Sequence, residues 1–277
     1  MTSTVENFAG VHDWPALMDF ARQNMAAYAA AQPFAHAVLE DLLEPAALEA
    51  ALQEFPGVEA EGWIRFQNDY EVKLGLGAAK ESFLGPATRA LIARLNAPAF
   101  LEFLETLTGI RGLIPDPYLF GGGLHQIVPG GYLKIHTDFP VHPKLGLKRR
   151  LNLLLYLNKD WKEEYGGHLE LWDQTKTRCE KKILPLFNRC VIFTTSEFSF
   201  HGHPDALSCP PGMTRKSLAL YYYQVPHYAG EVSPSTSWTS VQAAKNEQSQ
   251  TPFSKWLGEL MPPIVWKWRD SLRSRKT

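Results

Sequence analysis

The sequence predicts a mainly β domain with flanking helices, and three observations carry that expectation. From about Pro115 the chain breaks into short apolar runs separated by Pro, Gly, Asn and Asp, as strands joined by tight turns do. Before that point, alanine- and leucine-rich segments place their apolar residues at helical spacing. The whole chain has 277 residues, 45% hydrophobic and 21% charged, which suits one large or two small domains and excludes disorder of the bulk. Short strands at this spacing suit a sandwich or barrel.

The elements follow in order. Pro45–Phe55 carries Leu48, Leu52 and Phe55 on one helical stripe and stops at Pro56-Gly57. Pro86–Leu95 places Leu91, Ile92 and Leu95 together, and Ala97–Thr108 is a third helix after the Asn96 break. The β-type runs are Leu124–Val128, Tyr132–His136, Leu151–Leu157, His168–Trp172, Cys190–Thr195 and Ser217–Tyr223. Ser233–Gln250 is polar and reads as a linker. Met261–Thr277 has Ile264, Trp268 and Leu272 at i, i+4 and i+8 beside a basic surplus, the pattern of an amphipathic helix. The expected organisation is a mostly helical support over 1–114, a β core over 115–228, and a polar linker with a basic helix over 229–277. That last helix would cap the fold or dock on a membrane surface or partner.

Charge narrows the function. Lys+Arg 28 against Asp+Glu 29 gives net −1, which argues against a nucleic-acid partner. Three cysteines in no CxxC pair, and no secretory signal at the N-terminus, point to a reducing, cytoplasmic setting. No run approaches the ~18 apolar residues of a transmembrane segment.

The chemistry sits in His136-Thr-Asp138 and His201. Residues i and i+2 of a strand face one way, so His136 and Asp138 can share an ion. A second histidine from a later β-type region completes a two-His-one-carboxylate face, diagnostic of non-haem Fe(II) oxygenases. His201 is preferred to His203 because it follows its strand run directly. Fourteen residues after His201 comes Arg215-Lys-Ser217, and Leu155–Trp161 is followed by Gly166-Gly167. In these four motifs, spread over roughly residues 120–225, the chain resembles the Fe(II)/2-oxoglutarate dioxygenases of the prolyl 4-hydroxylase-like branch.

That resemblance implies a double-stranded β-helix, or jelly roll, and a hydroxylase using Fe(II), 2-oxoglutarate and O2, with ascorbate as an optional reductant. It implies oxidation of an unactivated C–H bond with release of succinate and CO2. His136, Asp138 and His201 would hold the metal and carry the catalysis. Arg215 would anchor the far carboxylate of 2-oxoglutarate, since guanidinium matches carboxylate as a two-pronged donor. Ser217 and Tyr156 would add hydroxyl donors, and Asn152, on the face of Tyr156, would line the same pocket. The substrate is left open between a peptidyl proline, an amino acid and a small biosynthetic metabolite. Two rivals use the same residues differently, a zinc hydrolase and a non-catalytic jelly-roll binding module.

Some neighbours carry weaker expectations. Pro204–Thr214 is expected as an exposed, stiff loop at the mouth of the site. His125, His142 and His168 read as packed or surface histidines, with His142 near enough to Asp138 to reach the rim. Lys134 shares the face of His136 and is expected to extend to solvent. Arg149 and Arg150 precede a strand and read as solvated, unless an anionic substrate gives them a role.

Overall fold

A computed structural model describes residues 13–77 and 82–226; the polar linker and the basic helix expected beyond Tyr228 lie outside the described residues. Four helices and twelve strands occur among the described residues. The helices are α1 (Trp14–Ala30), α2 (Pro45–Gln53), α3 (Pro86–Leu95) and α4 (Pro98–Thr108). Proline stands in the first turn of each, where its missing N–H leaves no bond unmade. The Asp13 carboxylate caps α1 by accepting from Ala16 N at 3.1 Å. Glu54, just past α2, caps α3 instead, accepting from Ala87 N at 3.2 Å and Thr88 N at 2.6 Å. The α4 helix ends at Gly109, whose φ of +72° is the left-handed conformation of a C-terminal cap.

The strands are β1 (His36–Leu39), β2 (Ile64–Gln67), β3 (Glu71–Leu76), β4 (Ile114–Pro115), β5 (Gly123–Ile127), β6 (Tyr132–His136), β7 (Lys148–Tyr156), β8 (Leu169–Trp172), β9 (Cys179–Ile183), β10 (Cys190–Thr194), β11 (His201–His203) and β12 (Arg215–Gln224). All pair antiparallel in the order β1-β10-β7-β12-β5-β3-β6-β11-β8-β9, with β2 on β3 and β4 on β12. The sheet curls on itself as a double-stranded β-helix, so that β6, β8 and β11 face β5, β7 and β12.

Strand alternation explains the two faces of this sheet. On β7 and β12, Leu151, Leu153, Leu155, Leu218, Leu220 and Tyr222 bury against Leu17, Phe100, Phe103 and Leu107 of the helices. Each such side chain contributes about 1.5–3 kcal/mol by leaving water. The alternate residues, Asn152, Leu154, Arg215, Ser217 and Tyr221, line a cavity of about 560 Å³ on the other face. One face therefore supplies stability and the other is free to carry polar chemistry.

Segments 36–39, 64–67 and 71–76 are strands within the part expected to be mostly helical. Of these, β3 runs between β5 and β6, so the first third of the chain builds a wall of the cavity as well as its helical backing.

Candidate active site

His136 closes β6 and pairs in register with His201 on β11. The two rings lie 4.5 Å apart between centroids. Gly202 permits this closeness: a Cβ there would meet the Leu133 and Lys134 carbonyl oxygens at 2.7 Å. Asp138 stands two residues past the end of β6, its carboxylate 3.9 Å from His136 Nε2 and 3.5 Å from His201 Nε2. One ligand atom from each of the three lies within 4.8 Å of the others. His136 Nδ1 lies 2.8 Å from the Lys134 carbonyl and His201 Nδ1 lies 2.9 Å from that of Ser199. These contacts place the imidazole N–H on Nδ1 and leave both Nε2 lone pairs for a metal. Two imidazoles presenting Nε2 and one carboxylate, with open positions beyond, fit Fe(II).

Asp138 is held by two further residues. Asn152 Nδ2 donates to its Oδ2 at 2.7 Å, and Asn152 Oδ1 accepts from Arg149 Nε at 2.9 Å. Arg149 Nη1 comes within 3.3 Å of Asp138 Oδ1. Burial raises the Asp138 pKa, but Arg149, the two histidines and the Asn152 bond outweigh it and hold the carboxyl at about 2. Burial brings His201 down to about 4 despite the pull of Asp138, so the ring is neutral at physiological pH.

The position of Arg149 corrects the expectation that it is solvated. Its side chain is fully buried, with the guanidinium 3.4 Å from the Tyr221 ring centroid and 4.7 Å from that of Phe139. A β-bulge is the cause. Tyr222 pairs with Leu151 and Tyr223 with Arg149, so Arg150 is the unmatched residue and Arg149 turns inward. Simple alternation from Asn152 selects Arg150 instead. Asn152 lines the cavity as expected, but both its polar atoms are engaged by Asp138 and Arg149.

Arg215 opens β12 at the other end of the cavity. It is 5% exposed; its Nε donates to Gly167 O at 2.7 Å and its Nη2 to Tyr156 OH at 3.3 Å. Gly167 has φ +71°, and a Cβ there would lie 3.0 Å from Arg215 Cδ, so glycine lets the main chain meet the guanidinium. Burial lowers the Arg215 pKa; Tyr156 is its one charge-stabilising neighbour, and no carboxylate of the described residues pairs with it. Ser217 stands directly opposite Tyr156 in register and His125 on its other side.

Other expectations meet a different geometry. Pro204–Thr214 is not at the mouth. Leu207 and Cys209 are buried with Ile127 and Trp161, and Leu207 exchanges main-chain bonds with Gly130 and Gly131, which pins the segment behind Arg215. The mouth is lined by Ile64, Phe66 and Tyr70 of the β2–β3 hairpin, together with Phe139. His125 faces the cavity, and burial followed by Lys73 brings its pKa to about 3. His142 does not reach the rim. It is fully buried, with Nε2 3.1 Å from Asp116 Oδ1 and Nδ1 accepting from the Lys144 and Leu145 amides. Lys134 is exposed as expected, lying over the Tyr132 ring.

Comparison with known proteins agrees with this geometry. Residues 122–223 match the 2OG-Fe(II) oxygenase superfamily. The chain is 32% identical over 79 residues to the prolyl 3-hydroxylase OGFOD1 of Mus musculus, a stretch covering 27% of this chain and 14% of that relative. The chain thus spans about a seventh of that protein's length. A prolyl-4-hydroxylase from Pseudomonas putida superposes with TM-score 0.52 at 18% identity, over 77% of this chain and 100% of the other. A structure of prolyl 4-hydroxylases from Phytophthora capsici gives TM-score 0.50 at 21% identity, over 81% and 70%. Residues 122–223 are thus similar to the 2OG-Fe(II) oxygenase superfamily, and the cluster of His136, Asp138 and His201 lies within that stretch.

Proposed function

We propose that the protein is an Fe(II)/2-oxoglutarate-dependent hydroxylase that inserts oxygen into an unactivated C–H bond and releases succinate and CO2. The observation that carries this reading is Arg215, a buried guanidinium with no carboxylate partner among the described residues, in the same cavity as the triad. A buried unpaired cation is costly to keep, and a dicarboxylate spanning from the metal to Arg215 relieves it. A zinc hydrolase has no use for such a group.

His136, Asp138 and His201 would hold the iron, which supplies the oxidative chemistry when bound. Arg215 would fix the far carboxylate of the co-substrate, with Tyr156 and Ser217 as hydroxyl partners. Arg149 and Asn152 keep Asp138 ionised and oriented. The Arg149 Nη2, buried and without a hydrogen bond of good geometry, would offer a substrate carbonyl or carboxylate a donor near Asp138. The apolar mouth of Ile64, Phe66, Tyr70 and Phe139 suits a ring-bearing segment such as a prolyl residue of a peptide, the substrate class named for the relatives. Incubating the iron-loaded protein with 2-oxoglutarate, O2 and a library of proline-containing peptides tests this. A mass gain of one oxygen on a prolyl residue, coupled to succinate, is expected; coupling to a free amino acid or small metabolite alone would replace the peptide reading.

A further inference from the structure

His203 is the polar group of the cavity that the assignments above leave without a task. It is 3% exposed and lines the cavity that holds the triad and Arg215. Neither ring nitrogen makes a hydrogen bond of good geometry, although the Asp205 main chain lies close enough to act on the ring. Buried polar groups are normally paired, so an imidazole held this loosely calls for a partner from outside the protein.

The surroundings say which end of a ligand that partner is. His203 stands two residues past His201 on β11, at the start of the segment that returns to Arg215. The sheet opposite pairs Arg215 with Ile127, and Lys73 stands one residue before Leu74, which pairs with Gln126 beside Ile127. Lys73 pairs with Glu71 at 2.9 Å, and the His125 Nε2 lies 3.2 Å from Gly121 O. Arg215 and His203 are therefore the two groups at this end that await an anion. His203 makes no part of the triad, since His201 supplies the nitrogen that meets Asp138.

We propose that the His203 imidazole is a second donor to the far carboxylate of the 2-oxoacid co-substrate, beside Arg215. The proposal rests on the hydroxylase reading above. A neutral imidazole offers one N–H, which complements the guanidinium fork without adding a second buried charge. It also narrows the co-substrate end to a 2-oxoacid with a terminal carboxylate.

The test is an anaerobic titration of the Fe(II)-loaded protein and its His203→Leu variant with two ligands. 2-Oxoglutarate has the far carboxylate; 2-oxopentanoate keeps the chelating end and ends in a methyl. Loss of a hydrogen bond to a charged group is expected to weaken 2-oxoglutarate about tenfold. Fe(II) and 2-oxopentanoate should bind the variant as they bind the unaltered protein, and His203→Gln, which keeps a donor, should recover part of the loss. Unchanged 2-oxoglutarate affinity in His203→Leu would overturn the proposal. So would equal weakening of both ligands, which marks a general packing role, or loss of Fe(II), which marks a metal ligand. If His203→Leu does not fold, 15N-histidine spectra of the unaltered Zn(II)-loaded protein decide. A His203 ring N–H that becomes hydrogen-bonded on adding 2-oxoglutarate supports the proposal, and one that does not change overturns it. Failure of the unaltered protein to bind 2-oxoglutarate at all would overturn the hydroxylase reading as well.

Discussion

Asp138 and Arg215 are buried charges at two ends of one cavity, and the protein treats them differently. Asp138 already has an arginine, an asparagine and two histidines around it. Arg215 has a carbonyl and a phenol, and in the same cavity stands a histidine whose ring makes no hydrogen bond of good geometry. The first end is assembled before any ligand arrives, as a metal carboxylate must be to stay ionised and in place. The second end is left with donors in excess, as a site for an anion must be. The contrast teaches that pairing, more than burial, separates a group that supports the site from one that receives a ligand.

The comparison breaks most visibly at the metal end. Asp138→Ala should abolish Fe(II) binding, measured by anaerobic titration, because two imidazoles alone make a poor iron site. Full succinate production by that variant would remove the triad from the account. At the other end, Arg215→Ala should cost roughly 2–5 kcal/mol of 2-oxoglutarate binding while Fe(II) affinity is kept. A variant with unchanged 2-oxoglutarate KM would place the anchor elsewhere.

Arg149→Leu sharpens the contrast, since it removes a support and not a ligand. Fe(II) affinity should fall about 10–100-fold, as loss of outer partners of metal ligands generally costs. Iron affinity equal to that of the unaltered protein would mean that Asn152 suffices to hold Asp138.

The metal-free protein should also lose stability as pH falls. His201 and His125 sit at about 4 and about 3 in the fold against 6.5 ordinarily, and burial puts His203 well below 6.5 as well. Between those values the unfolded chain binds protons that the folded chain refuses, so stability rises with pH across that window and drops as pH is lowered through it. Asp138 adds the same sign lower down, between 3.8 and about 2. Thermal melts should show a Tm decrease of roughly 5–10 °C from pH 7 to pH 5. A flat profile would contradict three neutral imidazoles lining the cavity. The smallest effect is expected from Tyr156→Phe, which removes one hydroxyl beside Arg215 and should weaken 2-oxoglutarate by about 1 kcal/mol, read in the same titration as Arg215→Ala.

Much of this was legible in the sequence, for reasons that can be named. The β6 strand and the α3 helix have the expected bounds because turn residues and proline mark their ends. The triad is legible because its ligands need fixed residue types at fixed spacing, whereas Arg215 and Tyr156 are singled out only through the motifs that resemble those of the Fe(II)/2-oxoglutarate dioxygenases. The β1, β2 and β3 strands were hidden by their shortness and by helical neighbours. The three-residue β11 is below the length that periodicity can detect. The inward turn of Arg149 depends on a bulge in pairing with β12, a tertiary event that no local pattern encodes. The Pro204–Thr214 segment looks polar and exposed, yet Leu207 and Cys209 carry it into a core cluster.

The central claim is that one cavity joins a two-His-one-carboxylate metal site to a carboxylate anchor at Arg215. It is tested most directly by adding 2-oxoglutarate to the Fe(II)-loaded protein without oxygen, recording the visible spectrum, and then admitting O2. The account predicts a weak visible metal-to-ligand band that needs both Fe(II) and 2-oxoglutarate, saturates in the unaltered protein, fails to develop at the same concentration in Arg215→Ala, and is followed by succinate once oxygen enters. Fe(II) binding with no band and no succinate at saturating 2-oxoglutarate would contradict it.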